Sequence, residues 1–256
     1  MKKLYIILAV AMMTLTVNAQ ARLTLSTYNG TQIAKYDGQQ MDVTMTRLLF
    51  MGWNTFSVPF DMSEQQLVET LGPNFKLERL VGVSQQGNEI TLDFQDCRAM
   101  GVQANVPYIL YYTGETGNKK FAVKAEIVNR EPSLTLHTQT GVEVTMSGAT
   151  VKTAGTDKYG ILAINNSEAT FTRVEGANEF YATRCFITTS AGNYALRTRH
   201  LGANEAASIN DIAAATDIVD VYNLLGMRVA SKIQAADVNN LAPNIYIVNG
   251  RKVLVK

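Results

Sequence analysis

Short stretches that alternate apolar and polar residues, each closed by a turn residue, constrain this chain more than any other feature. Met41-Asp42-Val43-Thr44-Met45-Thr46 alternates without a break, and Asn88-Glu89-Ile90-Thr91-Leu92-Asp93-Phe94 repeats the pattern. Period-two alternation buries one face of a strand and leaves the other in water, as antiparallel sheets do. Leu23-Thr24-Leu25-Ser26-Thr27-Tyr28 ends in the same way at Asn29-Gly30, and further strands are expected over 106–112, 121–128, 142–146, 159–164, 169–174 and 181–188. Many short strands with Gly and Asn turns predict an all-β chain with an antiparallel β-sandwich body. The lack of crossover helices argues against a parallel α/β fold. One short helix is expected. Ser63-Glu64-Gln65-Gln66 reads as a capping box, Leu67, Val68 and Leu71 supply an apolar face, and Gly72-Pro73 ends it.

Two segments break the body's pattern. From 203 to 216 the residues are small and polar, as in Ala203-Asn204-Glu205-Ala206-Ala207-Ser208, and predict a linker between a body over 20–202 and a small β domain over 217–256. In that last part Ile218-Val219-Asp220-Val221-Tyr222 and Met227-Arg228-Val229-Ala230 flank a turn at Asn223-Leu224-Leu225-Gly226. Ile245-Tyr246-Ile247-Val248 and Arg251-Lys252-Val253-Leu254-Val255 then flank Asn249-Gly250. Asn-Gly is the preferred pair for a two-residue hairpin turn, because both residues tolerate positive φ.

The start of the chain reads as an address. Lys2 and Lys3 precede an uncharged run over 4–17, and Val17-Asn18-Ala19 places small residues before Gln20. This is the pattern of a secretory signal peptide over 1–19 with cleavage between Ala19 and Gln20. A run of 14 residues is short for a membrane span, which takes roughly 20. No later stretch is long and apolar enough to span, so no transmembrane helix is expected after processing. Export places Cys97 and Cys185 in an oxidising compartment, where they either form a disulfide or stay as two buried thiols.

Charge narrows the partners. With 23 Lys and Arg against 22 Asp and Glu, the chain carries +1, and removal of Lys2 and Lys3 with the first nineteen residues turns this to −1. A nucleic-acid partner, which calls for a basic face, is not expected. No P-loop, dinucleotide fingerprint, nucleophile elbow, zinc motif or calcium loop is present in the sequence, and neither cofactor nor metal is expected. Asp93 and Asp96 are a candidate carboxylate pair for glycoside hydrolysis, or solvated residues at a strand end. Cys97 or Cys185 with His137 or His200 is the other nucleophilic combination that the composition allows. Trp53 reads as a core anchor. The adjacent Tyr111 and Tyr112, which a strand points to opposite faces, are the candidate ligand contacts.

The tail, from Val219-Asp220-Val221-Tyr222-Asn223-Leu224-Leu225-Gly226-Met227-Arg228-Val229 through Leu241-Ala242-Pro243-Asn244-Ile245-Tyr246-Ile247-Val248 to Lys252-Val253-Leu254-Val255-Lys256, resembles the C-terminal sorting domain of type IX secretion cargo. It departs from that pattern at Asn244, where the family usually has Gly, and in its shorter last hairpin. The resemblance implies recognition by outer-membrane secretion machinery. In the body, Gly52-Trp53-Asn54-Thr55-Phe56-Ser57-Val58-Pro59-Phe60, Val106-Pro107-Tyr108-Ile109-Leu110 and Phe180-Tyr181-Ala182-Thr183-Arg184-Cys185-Phe186 are similar to a pattern in β-rich surface or secreted proteins of Gram-negative bacteria, which brings no catalytic residues. The expectation is an exported, non-enzymatic module at the cell surface or in the medium. It would bind a surface glycan or a protein, or give structural support. The alternative is a secreted hydrolase acting on glycans or peptides, and a third reading is a subunit that polymerises by strand exchange.

Overall fold

The computed structural model describes residues 22–26, 32–161, 168–202, 218–248 and 251–255. The expected signal peptide with its Ala19–Gln20 cleavage point, the linker over 203–216 and the turn pairs Asn29-Gly30 and Asn249-Gly250 lie outside these residues. The chain forms β1 (Arg22–Ser26), β2 (Gln40–Leu49), β3 (Gly52–Phe56) and helix α1 (Glu64–Leu71). It continues with β4 (Lys76–Gln86), β5 (Glu89–Asp96), β6 (Tyr108–Tyr112), β7 (Gly117–Glu126), β8 (Ser133–His137) and β9 (Glu143–Gly148). Five short or moderate strands follow: β10 (Thr153–Ala154), β11 (Tyr159–Gly160), β12 (Thr172–Arg173), β13 (Glu179–Phe180) and β14 (Cys185–Thr189). The last are β15 (Ala195–Leu201), β16 (Ile218–Asn223), β17 (Arg228–Gln234), β18 (Asn244–Val248) and β19 (Arg251–Val255). The fold class is all-β.

The body stacks sheets face to face, and its sandwich has a third layer. A central sheet in the order β15-β5-β4-β6-β3 lies between the sheet β1-β2-β7 and the sheet β12-β11-β14-β9-β8. Two cores result. In the first, Leu23, Met45 and Phe121 of the outer sheet meet Phe56, Leu77, Tyr108 and Leu110 of the central one. In the second, Trp53, Leu80, Phe94 and Ile109 meet Val144, Met146 and Ile187. The sequences explain the difference between the strands. β2 and β7 bury every second residue, because only one face is covered. β6 reads Tyr-Ile-Leu-Tyr-Tyr because both of its faces are: Tyr108, Leu110 and Tyr112 enter the first core, while Ile109 and Tyr111 turn to the second.

Helix α1 has the expected capping box. The Ser63 hydroxyl accepts from the Gln66 amide at 3.3 Å, and the Gln66 side chain accepts from the Ser63 amide at 2.8 Å. Leu67 and Leu71 are buried in the first core, and Gly72 ends the helix at φ +81°.

Three points refine the sequence reading. Cys97 and Cys185 are not bridged: both are free buried thiols, one in each core, on opposite faces of the central sheet. Not every pairing is antiparallel, since β1 joins β2 and β15 joins β5 in parallel. Neither pair is a hairpin, so no tight turn imposes opposite directions. The strand expected over 169–174 shrinks to the two residues of β12.

The C-terminal strands form an antiparallel sheet in the order β17-β16-β18-β19. Val219, Val221, Val238, Tyr246, Val248, Val253 and Val255 make its core, and Leu201 at the end of β15 packs against it. Val248 pairs with Arg251, the spacing that a two-residue connection produces.

Candidate ligand-binding cleft

The last strand of the body carries the most concentrated polar chemistry. β15 forms an edge of the central sheet, with Arg199 opposite Asp93 and His200 opposite Phe94. The Arg199 guanidinium donates to both Asp93 carboxylate oxygens. Asp93 is fully buried, and a buried carboxylate is tolerable only when paired in this way. Next to it, His200 Nδ1 bonds the Glu78 carboxylate at 2.6 Å. Glu78 is only 4% exposed. The imidazole stacks on Trp53 with ring centroids 4.7 Å apart and 14° between planes. Trp53 belongs to β3, the opposite edge of the same sheet, so the sheet is coiled strongly enough to bring its two edges within side-chain reach.

The ring contacts continue past Trp53. Tyr111 meets it edge-on at 5.1 Å, and Lys76 lies 5.7 Å from the Tyr111 centroid. His200 is fixed in orientation by a carboxylate on one nitrogen and an indole on its face, while Nε2 has no partner among the described residues. His200 borders a cleft of about 420 Å³ whose walls also include Glu89, Glu168, Thr170, Leu196, Arg197 and Thr198. Arg197 Nε and Glu89 Oε1, both in that lining, are 3.2 Å apart.

The sequence candidates fall as follows. Tyr111 is half-buried and joined to the cleft through Trp53 and His200, without lining it. Tyr112, expected as an alternative contact, is buried in the first core; its hydroxyl lies where a Cβ on Gly114 would sit. Asp93 and Asp96 do not share a site: the first is held by Arg199, and the second accepts from the Arg98 amide at 2.9 Å. No Cys–His pair forms, since His137 contacts Glu143 on the surface and His200 contacts Glu78. Burial pushes both thiols up to about 12, which leaves no thiolate for nucleophilic work at neutral pH. Sequence reasoning missed Glu78, whose partner His200 is 122 positions away. The one clue was an acid inside the apolar run Leu77-Glu78-Arg79-Leu80-Val81.

A second feature joins the three body segments that resemble surface proteins. The first pairs with the second through Asn54–Leu110, Thr55–Ile109 and Phe56–Tyr108, and with the third through the Ser57 amide, which donates to Thr183 O at 3.1 Å, and the Cys185 amide, which donates to Thr55 Oγ1 at 2.8 Å. Arg47, fully buried beneath them, donates to Leu48 O at 2.8 Å and Thr55 O at 3.0 Å. Ser57 and Thr183 also line a small cavity of 20 Å³, and neither hydroxyl has a hydrogen-bond partner among the described residues. That volume admits one water and no larger ligand.

The third feature is the β16–β17 turn. Asn223 Oδ1 accepts from the Leu225 and Met227 amides at 3.0 and 2.9 Å, and Gly226 takes φ +78°. This closed turn holds Leu224 and Leu225 outward, 57% and 83% exposed. Compared with protein-family models, with curated proteins and with solved structures, the chain has no match in any of the three.

Proposed function

We propose that the chain is an exported, non-enzymatic β-sandwich module that binds a surface glycan or a protein. On this reading its C-terminal sheet is the sorting element that outer-membrane secretion machinery engages. The observation that carries this is the distribution of exposed apolar side chains. Eight large ones are exposed among the described residues, and five of them, Ile218, Leu224, Leu225, Met227 and Val229, lie on β16, β17 and their turn. Full burial of each would contribute about 1.5–3 kcal/mol, and an apolar patch left in water marks a docking surface. The turn is closed by its own hydrogen bonds, so little ordering is needed on contact. The signal-peptide pattern over 1–19 supplies the first step of export.

Cell fractionation tests the reading. The full chain should reach the surface or the medium, and a chain lacking 218–256 should stop in the periplasm. Delivery of the shortened chain to the surface would show that the tail is not a sorting element.

One observation favours the hydrolase reading, namely the Glu78-supported His200 on a cleft wall. A carboxylate-oriented imidazole is a general-base arrangement. Among the described lining residues the hydroxyls are those of Thr170 and Thr198, and turnover of peptide or glycan substrates by the purified chain would establish this alternative.

A further inference from the structure

We infer that the cleft beside β15 is the ligand site of the body and that it takes a neutral, hydroxyl-rich ligand, a saccharide chain. The inference rests on the reading of the body as a binding module and names its site and ligand class. Size comes first: about 420 Å³ falls within the ~300–1,000 Å³ of ligand clefts, whereas the 20 Å³ cavity at Ser57 and Thr183 takes only water. The lining decides the chemistry. Glu89 and Glu168 present acceptors, Arg197 presents planar donors, and Thr170 and Thr198 present hydroxyls that do both. His200 adds Nε2 as one more polar group.

Other ligand classes fit worse. Leu196 is the one apolar residue among the described lining residues, so a lipid or an aliphatic chain would meet polar groups that it cannot pair. Arg197, the one Lys or Arg among the described lining residues, is already paired with Glu89 at 3.2 Å, which leaves it poorly placed to take phosphate, sulfate or an acidic peptide. Neighbouring hydroxyls on a sugar ring satisfy a carboxylate or a guanidinium two bonds at a time, as this set requires.

The site is also built before any ligand arrives. Glu78, 4% exposed, fixes one nitrogen of His200, and Trp53 fixes the plane of the ring. A side chain already ordered loses little entropy on binding. Trp53 does not act as a stacking platform for the sugar, because it is buried and His200 covers one face. It acts through the imidazole.

The test is calorimetry on the purified full chain with hexasaccharides of cellulose, xylan, mannan, chitin and starch, beside a displayed peptide library. Arg197→Ala and Glu89→Gln alter side chains that are 70% and 40% exposed, so circular dichroism should show an unchanged fold. His200→Gln keeps a polar partner for Glu78. Binding of at least one hexasaccharide, weakened tenfold or more by each variant (about 1.4 kcal/mol), supports the site. A saccharide that binds all variants equally places the ligand elsewhere and overturns the assignment, while the binding-module reading stands. Selection of peptides alone overturns the ligand class and leaves that reading intact. Binding of neither overturns both.

Discussion

Thr183 stands at φ +72°, a backbone conformation that costs an L-residue roughly 1–2 kcal/mol and that is a true outlier for a β-branched side chain. It is held there by Ser57 N on its carbonyl and Ala149 O on its amide, at 3.1 and 2.8 Å, while its hydroxyl has no partner among the described residues. Glycine relieves the strain and alanine does not. In urea unfolding, Thr183→Gly should therefore be about 1 kcal/mol more stable than Thr183→Ala. A Gly variant weaker than the Ala variant would show that the side chain, and not the backbone, is what matters at this position. Nothing in the sequence marked Thr183, since threonine is not a left-handed former. The same blindness applies to Glu78 and His200, because chemistry assembled across 122 positions leaves no local pattern.

Among the elements, what the sequence made legible follows from local rules, and what it hid follows from long-range ones. Strict alternation in β2 predicted a one-faced strand. The Ser63–Gln66 box predicted the start of α1, and the spacing around Asn249-Gly250 predicted the pairing of β18 with β19. The run Tyr108-Ile109-Leu110-Tyr111-Tyr112 read as a strand, but its burial on both faces depends on sheets contributed by distant segments. That is why Tyr112 turned out to be core and not a contact. The parallel partners of β1 and β15 were hidden for the same reason. Two-residue strands such as β10 and β13 are too short to carry any period. At α1 the cap can be weighed directly: Ser63→Ala removes the acceptor for the Gln66 amide and should cost about 1 kcal/mol in the same unfolding assay. An unchanged midpoint would mean that packing of Leu67 and Leu71 alone sets the helix.

For the whole molecule, burial of weak acids on both sides of the central sheet ties stability to alkaline pH. Burial raises Cys97 from 9.0, Cys185 from 9.0 and Tyr108 from 10.0, each to about 12. These groups are neutral when protonated. The unfolded chain gives up their protons first as pH rises, so it binds fewer protons than the folded chain between about pH 9 and 12. Their contribution is fully present below about pH 9 and is lost as pH climbs towards 12. Thermal midpoints should fall over that window, and Cys97→Ala with Cys185→Ala should make the fall shallower. A flat midpoint would mean that these thiols and the Tyr108 phenol are not kept protonated by the two cores.

On the proposed reading, the polar cleft on one edge of the central sheet and the apolar hairpin of the C-terminal sheet have separate tasks, ligand binding and sorting. The hairpin is where that division is most exposed to test. Leu224→Ser with Leu225→Ser changes two side chains that are 57% and 83% exposed, so the fold and thermal midpoint should be unaltered. Fractionation of cells expressing this double variant beside the unaltered chain is the most direct measurement. The account predicts that the variant is folded but accumulates in the periplasm. Delivery to the surface or medium at the level of the unaltered chain would contradict it.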